Sequence, residues 1–442
     1  MTTKDNVPYT PIGEIPKIVD GLRATFEDGK TLPVSFRKTQ LKQLAFALED
    51  NMDDINSAFW RDMRKSKYDV ALSETEVVKK EIAMAVAHLD SWTKPKGVKK
   101  DLAFALNTAK TIPAPRGVVC VISAWNYPIN LLLVPVAGAI AAGCTVIIKP
   151  SEVTSSVANV ITNILPRYLD QSCYRVINGG KDETSALLEQ KFDHIFYTGS
   201  GTVGRIVYGA AAKNLTPVVL ELGGKSPCFV DNASDSFLRI AAKRCMWGKY
   251  LNAGQTCIAP DYVVVDRKVK DQFLGHCKTA ITEMFGQDPS QSNDYCRIIT
   301  ERHFSRMQDL IKGTSGKIVV GGQSSNSDFY VAPTIVDVQM NDSLMEEEIF
   351  GPILPIITVD HVKDGVRYAR SKDRPLACYI FSNDSKYTQY VTDSITAGGT
   401  TVNDTLMHFM SESPSDRAAE QPSEARSVRR KRGEVLPMKI VC

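Results

Sequence analysis

The 442-residue chain has almost no excess of charge: 53 Lys and Arg face 50 Asp and Glu, leaving a formal net charge of +3. That balance gives no general reason to expect nucleic acid or an anionic membrane as partner, and a small molecule fits better. Ten cysteines, at 120, 144, 173, 228, 245, 257, 277, 296, 378 and 442, form no Cys-x-x-Cys pair and no compact disulfide framework. Such usage suits a reducing compartment. Six histidines, at 88, 194, 276, 303, 361 and 408, form no recognisable dyad and do not cluster with cysteine at ligand spacing. Neither a Cys–His protease nor a metal site is therefore indicated. The opening residues Met1 to Pro8 carry neither the apolar core of a secretion signal nor an Arg-rich amphipathic presequence. Cytoplasmic placement is the expectation, and no internal repeat is visible.

Only one apolar run, Leu131 to Ile148, is long enough to raise the question of a membrane span. Pro135, Gly138 and Gly143 break it, and β-branched Thr145-Val-Ile-Ile148 follows an Ala/Gly-rich stretch. It reads as a buried helix turning into a buried parallel strand. Around it the pattern alternates. Strands are predicted at Val118–Ile122, Thr145–Lys149, Tyr174–Ile177, His194–Tyr197 and Pro217–Leu220, with helices near 130–142, 156–165, 183–190 and 203–212 between them. Such alternation implies a parallel sheet covered by helices on both faces. Upstream, Leu41, Leu44, Ala45, Leu48, Met52, Ile55 and Phe59 follow helical spacing and predict one long amphipathic helix. A second α/β segment runs from about 222 to 400, with a helix around Phe237–Trp247 and strands at Tyr262–Val265 and Ile353–Val359. The length favours two or three domains.

Chemistry is concentrated in a few turns. Cys257 lies in Asn252-Ala-Gly-Gln-Thr-Cys-Ile-Ala-Pro260, downstream of Glu221-Leu-Gly-Gly-Lys225. A thiol on one small-residue turn and a carboxylate on another suggest covalent catalysis with a separate water-activating base. A helix start or backbone amides near Cys257 would favour its thiolate, and partial desolvation of Glu221 at a strand end would raise its proton affinity. Asn126, in Trp125-Asn-Tyr-Pro128, follows a strand at the edge where ligands gather in open α/β sheets. Its neutral amide can donate to a developing oxyanion. Gly199, Gly201 and Gly204 stand in Gly-x-Gly-x-x-Gly spacing between a strand and a helix, a moderate dinucleotide signal. Each feature has a plainer reading: a buried structural cysteine, a strand-end charge in solvent, a local Asn-Tyr-Pro turn, a solvated acidic face at Glu346–Glu348.

Taken together and in chain order, Trp125-Asn-Tyr-Pro128, Lys149-Pro-Ser-Glu152, Glu221-Leu-Gly-Gly-Lys225, Gly254-Gln-Thr-Cys257 and Glu347-Glu-Ile-Phe-Gly-Pro352 resemble the aldehyde dehydrogenase superfamily. The context Leu215 to Pro227 and Gly254 to Tyr262 is similar to its class 3 branch, the fatty and aromatic aldehyde dehydrogenases. The resemblance implies an α/β fold with a Rossmann-type nucleotide-binding domain (1–87 and 111–221), a bridging hairpin (88–110), a catalytic domain (222–405) and a carboxyl-terminal segment (406–442). It implies NAD(P)-dependent oxidation of medium- or long-chain aliphatic or aromatic aldehydes to acids, through a thiohemiacetal and a thioester. Cys257 would be the nucleophile, Glu221 the base and Asn126 the oxyanion donor. Trp125, Lys149, Glu152, Gly199, Ser200, Gly204, Leu222, Glu348 and Phe350 would hold the cofactor. In the family Lys149 and Glu152 address the adenosine ribose, so Glu152 favours NAD over NADP by repelling a 2′-phosphate. The family pattern has Thr where this chain has Gly201, so the three-glycine spacing is partly accidental. A homodimer and cytoplasmic placement are implied, with peripheral attachment to an organelle membrane left open; no metal is implied.

The resemblance stops after Ser413. Residues 414–442 contain one glycine, Gly433, in place of the family's Pro-Phe-Gly-Gly run, and include the basic cluster Arg426, Arg429, Arg430, Lys431 and Arg432. The composition predicts disorder, and a shifted reading frame or alternative splice near codon 413 would produce so abrupt a change. Two expectations follow: an active aldehyde dehydrogenase, or a catalytically impaired chain that binds nucleotide or pairs with other subunits.

Overall fold

Short β-branched runs alternating with amphipathic helices build two sheets rich in parallel strands. The structure is a computed structural model that describes residues 7–99, 102–104 and 107–407. The expected disorder of 414–442 lies outside the described residues, as does part of the expected bridging segment. The chain divides into two compact units, one holding described residues of 7–58 and 70–220, the other 59–69 and 221–407.

In the first unit the strands are ordered Tyr174–Val176, Thr145–Lys149, Val118–Ile122, His194–Thr198 and Val218–Glu221. The pairs about the central strand are parallel and nearly level at their carboxyl ends, with Ile122 opposite both Lys149 and Tyr197. Every residue of Val118–Ile122 and Thr145–Lys149 is buried, as in a sheet covered on both faces. The long apolar run resolves into the 13-residue helix Asn130–Ala142, closed by left-handed Gly143 (φ 88°), and then a strand. A Cβ at Gly143 would lie 2.5 Å from Cζ of buried Arg37. That guanidinium donates to the carbonyls of Thr31 (2.9 Å), Leu32 (2.7 Å) and Ala141 (3.2 Å), a cation at the helix's negative end. Among the described residues no helix is long and apolar enough to cross a membrane.

One expectation is corrected. The single helix through Leu41 and Phe59 is two helices, Val34–Glu49 and Met52–Met63. Asn51 breaks it: its Nδ2 donates to the Ala47 carbonyl (2.8 Å), taking the acceptor that a continuing helix offers to the backbone N–H. Arg167 donates to its Oδ1 at 2.7 Å and holds the side chain there. Hydrophobic spacing continues through the break because both helices face apolar surroundings, so periodicity alone could not reveal it.

The second unit contains a seven-stranded sheet ordered Lys317–Val320, Thr334–Asp337, Ile353–Val359, Tyr262–Asp266, Pro227–Val230, Ala377–Phe381 and Gly399–Val402. Only the first pair is antiparallel. Helices Asp235–Tyr250 and Lys270–Phe285 contribute Leu238, Ala242, Met246, Phe273 and Cys277 to its apolar core. Residues 59–69 are tied in by Arg297, whose N–H donates to the Met63 carbonyl (2.8 Å), and by the Arg64–Asp328 pair at 3.1 Å. Within the segment expected to bridge subunits, Lys96–Gly97 pairs antiparallel with Lys110–Thr111.

Candidate active site

In the second unit three distant motifs are drawn onto one another by a buried ion pair. Lys225 Nζ lies 2.5 Å from Asp261 Oδ2 and donates to the carbonyls of Leu344 (2.9 Å) and Glu347 (2.8 Å). Asp261 Oδ1 accepts from the Ile349 N–H at 2.9 Å. The turn after Glu221, the stretch after Cys257 and the segment Glu347–Pro352 thus share one polar knot. Such a pair contributes little net stability, but losing one partner leaves the other charge buried.

Backbone contacts complete the convergence. A Cβ on Gly254 would lie 2.3 Å from the Gly351 carbonyl oxygen, and one on Gly223 would lie 2.1 Å from Glu348 Oε2. Glycine is therefore required at 254 by a close approach, and its φ of +74° adds to the requirement. Asn252 and Ala253 are also left-handed, at φ 55° and 52°, a cost of roughly 1–2 kcal/mol per non-Gly residue. Gln255 holds this strained turn. Its Nε2 donates to the carbonyls of Asn252 and Arg297, both at 3.1 Å, and its Oε1 accepts from the Ile299 N–H at 3.1 Å.

Cys257 follows directly, on the turn from Thr256 to Ala259, whose ends are joined by an N–H to carbonyl bond of 3.0 Å. The hydroxyl of buried Tyr379 donates to the carbonyl of Ile258. Cys257 alone among the nine described cysteines is not buried. No helix begins at it; the chain passes through Pro260 into strand Tyr262–Asp266. Of the two features expected to favour a thiolate, the helix start is absent. Glu221 is the last residue of strand Val218–Glu221 and is half-buried, as are Leu222 and Phe350.

Glu348 differs from the exposed Glu346 and Glu347 beside it. Burial, reinforced by Asp261, pushes its carboxyl up to about 8, against the opposing pull of the Gly224 N–H, Lys225 and Lys249. Burial also brings the Lys249 ammonium, at the end of helix Asp235–Tyr250, down to about 8. Burial thus favours the protonated form of the Glu348 carboxyl. Its native value lies above the unfolded one, so the unfolded chain ionises first and stability falls as pH rises from about 4.5 to 8. Glu348→Gln is expected to remove this loss: thermal melts of variant and parent should diverge in the variant's favour as pH goes from 5 to 8. A gap that stays constant with pH would show that Glu348 is ionised in the folded protein.

The first unit places its named residues along the level carboxyl edge of the sheet. Trp125 and buried Asn126 follow strand Val118–Ile122, Lys149 ends its strand, and Gly199 and Ser200 follow His194–Thr198. Lys149 Nζ donates to the Pro150 carbonyl (3.1 Å) and lies 2.9 Å from Glu152 Oε2. Ser200 caps helix Gly201–Ala212 by accepting from the Val203 N–H at 3.4 Å. A Cβ on Gly199 would lie 2.2 Å from the Tyr197 hydroxyl, whereas around Gly201 the nearest atom is Arg205 Nη1 at 3.6 Å. Only the first of these two glycines is demanded by close packing, and the space at 201 would admit a threonine. Gly204 is buried within the helix.

Lys249, Asp261 and Gln255 received no role from the sequence. Asp261 and Gln255 lie inside the quoted motif strings, but their work is done by long-range bonds that spacing does not encode.

The sequence profile described as the aldehyde dehydrogenase family matches residues 5–415. Aldehyde dehydrogenase family 3 member B1 of Mus musculus is 44% identical over 389 residues, covering 88% of this chain and 82% of that protein. Aldehyde dehydrogenase family 3 member A2 of Pongo abelii is 45% identical over 390 residues, covering 88% and 80%. Among solved structures, the substrate-bound state of Staphylococcus aureus AldH superposes with a TM-score of 0.88 at 40% identity, covering 90% of this chain and 87% of that one. With this similarity running through nearly all the elements described above, the chain belongs to the aldehyde dehydrogenase family.

Proposed function

We propose that the chain oxidises medium- or long-chain aliphatic or aromatic aldehydes to carboxylic acids, with NAD as the preferred acceptor and NADP also used. The observation that carries this reading is the convergence of the Glu221, Cys257 and Glu348 segments on the Lys225–Asp261 knot. The residues suited to a dinucleotide are those of the first unit's carboxyl edge. The Ser200-capped helix start suits a pyrophosphate, and Lys149 with Glu152 suits ribose hydroxyls. The Glu152 carboxylate opposes a 2′-phosphate. Bound there, the nicotinamide supplies the electron acceptor.

The chain's own residues perform the remaining chemistry. Cys257 attacks the carbonyl carbon as thiolate, forming a C–S bond while the carbonyl π pair moves onto oxygen. Asn126 donates its amide N–H to that oxyanion. Once the thiohemiacetal has been oxidised, the acyl group is held on Cys257 as a thioester. Glu221 takes a proton from water, the water oxygen attacks the acyl carbon, and the Cys257 thiolate leaves as the acid departs. The nine described cysteines are all free, which supports a cytoplasmic setting. Strand Gly399–Val402 stands last in its sheet, and an outer strand is where sheets of two subunits can be continued, as the homodimer reading asks.

The test is spectrophotometric. Purified chain mixed with NAD and a medium-chain or aromatic aldehyde is expected to form NADH in proportion to aldehyde consumed. NAD binding without aldehyde-dependent NADH would overturn the reading.

A further inference from the structure

We propose that Glu74, far from the motifs in sequence, is a positioning residue for Asn126. The proposal rests on the reading of Asn126 as oxyanion donor. Glu74 is 0% exposed and lies in a π-helical turn, Ala71–Thr75, inserted between helices Lys67–Val70 and Glu76–Trp92. Turns of this kind re-aim side chains and are frequent at functional sites.

Its carboxylate is aimed at the start of helix Asn130–Ala142. Glu74 Oε2 accepts from the backbone N–H of Ile129 at 3.2 Å and of Asn130 at 2.9 Å, while Asn130 Nδ2 donates to the Ser73 carbonyl at 2.9 Å. That helix has no side-chain cap of its own; its N-cap residue is Ile129. A buried acid from 55 residues upstream thus satisfies N–H groups that the first turn leaves open, and places a negative charge at the positive end of the helix. With Arg37 at the other end, the helix is held by a buried charge of opposite sign at each terminus.

Asn126 stands three residues before Ile129 and is 2% exposed. The connection that carries it starts from a fixed point, because the Ser123 N–H donates to the Lys149 carbonyl at 3.1 Å. It ends in the turn held by Glu74, where the Tyr127 carbonyl accepts from the Leu131 N–H at 2.9 Å. The backbone is thus anchored on both sides of Asn126, which limits where its buried amide can be carried. A displacement of about 1 Å in such a group costs on the order of a hundredfold in rate. Glutamine at 74 can set its one amide oxygen where Oε2 accepts both N–H groups but brings no charge to the helix start, so the loss it causes reads the charge and its fit.

The experiment is a double-mutant cycle of Glu74→Gln with Asn126→Ala, read as kcat and KM for aldehyde, with circular dichroism and melting temperature as folding controls. Asn126→Ala is expected to lower kcat about 10²–10³-fold, and Glu74→Gln about tenfold to a hundredfold with little change in KM. In the Asn126→Ala background Glu74→Gln should cost nothing further in kcat. The same loss in both backgrounds would make Glu74 a general structural residue and overturn the proposal, as would no loss in the parent. If Asn126→Ala alone leaves kcat unchanged, the oxyanion assignment falls first and this proposal with it. Should Glu74→Gln fail to fold, Glu74→Asp, which keeps the carboxylate on a shorter stem, is read through the same cycle.

Discussion

Cys257→Ala is expected to reduce aldehyde-dependent NADH formation on the order of 10⁴-fold or more, as loss of a covalent nucleophile removes the route itself. Its melting temperature should stay close to the parent's, because Cys257 is only partly buried, at the margin of the core that holds Cys228, Cys245, Cys277, Cys296 and Cys378. Cys296 and Cys378 provide the contrast. Burial pushes both thiols up to about 12, so at neutral pH neither supplies a thiolate, and their replacement should act on stability instead. Steady-state rates and melts of the three alanine variants check the assignment together. Comparable turnover by Cys257→Ala and the parent would refute it.

Glu221→Gln is expected to separate the two halves of the reaction. The amide keeps the shape of the side chain at the end of strand Val218–Glu221 but cannot take a proton from water. Stopped-flow mixing should show a burst of NADH close to one per site, followed by turnover slowed roughly 10²–10⁴-fold, the range for loss of a general base. Acyl-enzyme should accumulate on Cys257 and be detectable by intact mass. A variant with neither burst nor accumulation would place Glu221 before the oxidation step, and an unchanged steady-state rate would assign the base elsewhere.

The fold was legible wherever its cause is local. Apolar strands at Val118–Ile122, Thr145–Lys149 and Ile353–Val359 stand at the predicted bounds, because runs of Val and Ile between turns have few alternatives. The helix reaching Gly143 and the strand after it were readable from composition and from one glycine with a left-handed φ. Legibility ended where a single long-range bond decides. Asn51 splits a helix whose periodicity is uninterrupted, and its reason, Arg167, lies 116 residues away. Motif residues could be named, but what holds them could not. Glu74 looks like any acid in a helical stretch until its two N–H partners are seen, and Asp261 reads as a polar residue before a strand rather than as the partner of Lys225. The three-glycine spacing at 199–204 shows the converse. It gave a moderate dinucleotide signal, partly accidental at Gly201, and spacing could not say that the space at Gly201 is open while a Cβ at Gly199 would meet the Tyr197 hydroxyl.

The uneven burial of sulfur sets how such a protein meets reactive chemicals. Eight of the nine described thiols are enclosed, and only Cys257 is half open. Among the described thiols, electrophiles such as unsaturated carbonyl compounds or peroxides would therefore reach Cys257 first, since access limits both reactions. With Cys257 as the proposed nucleophile, poisoning would precede unfolding: a dose that modifies this sulfur would silence the chain while leaving both sheets intact, so the pool of folded protein would overstate the pool of working protein after oxidative stress.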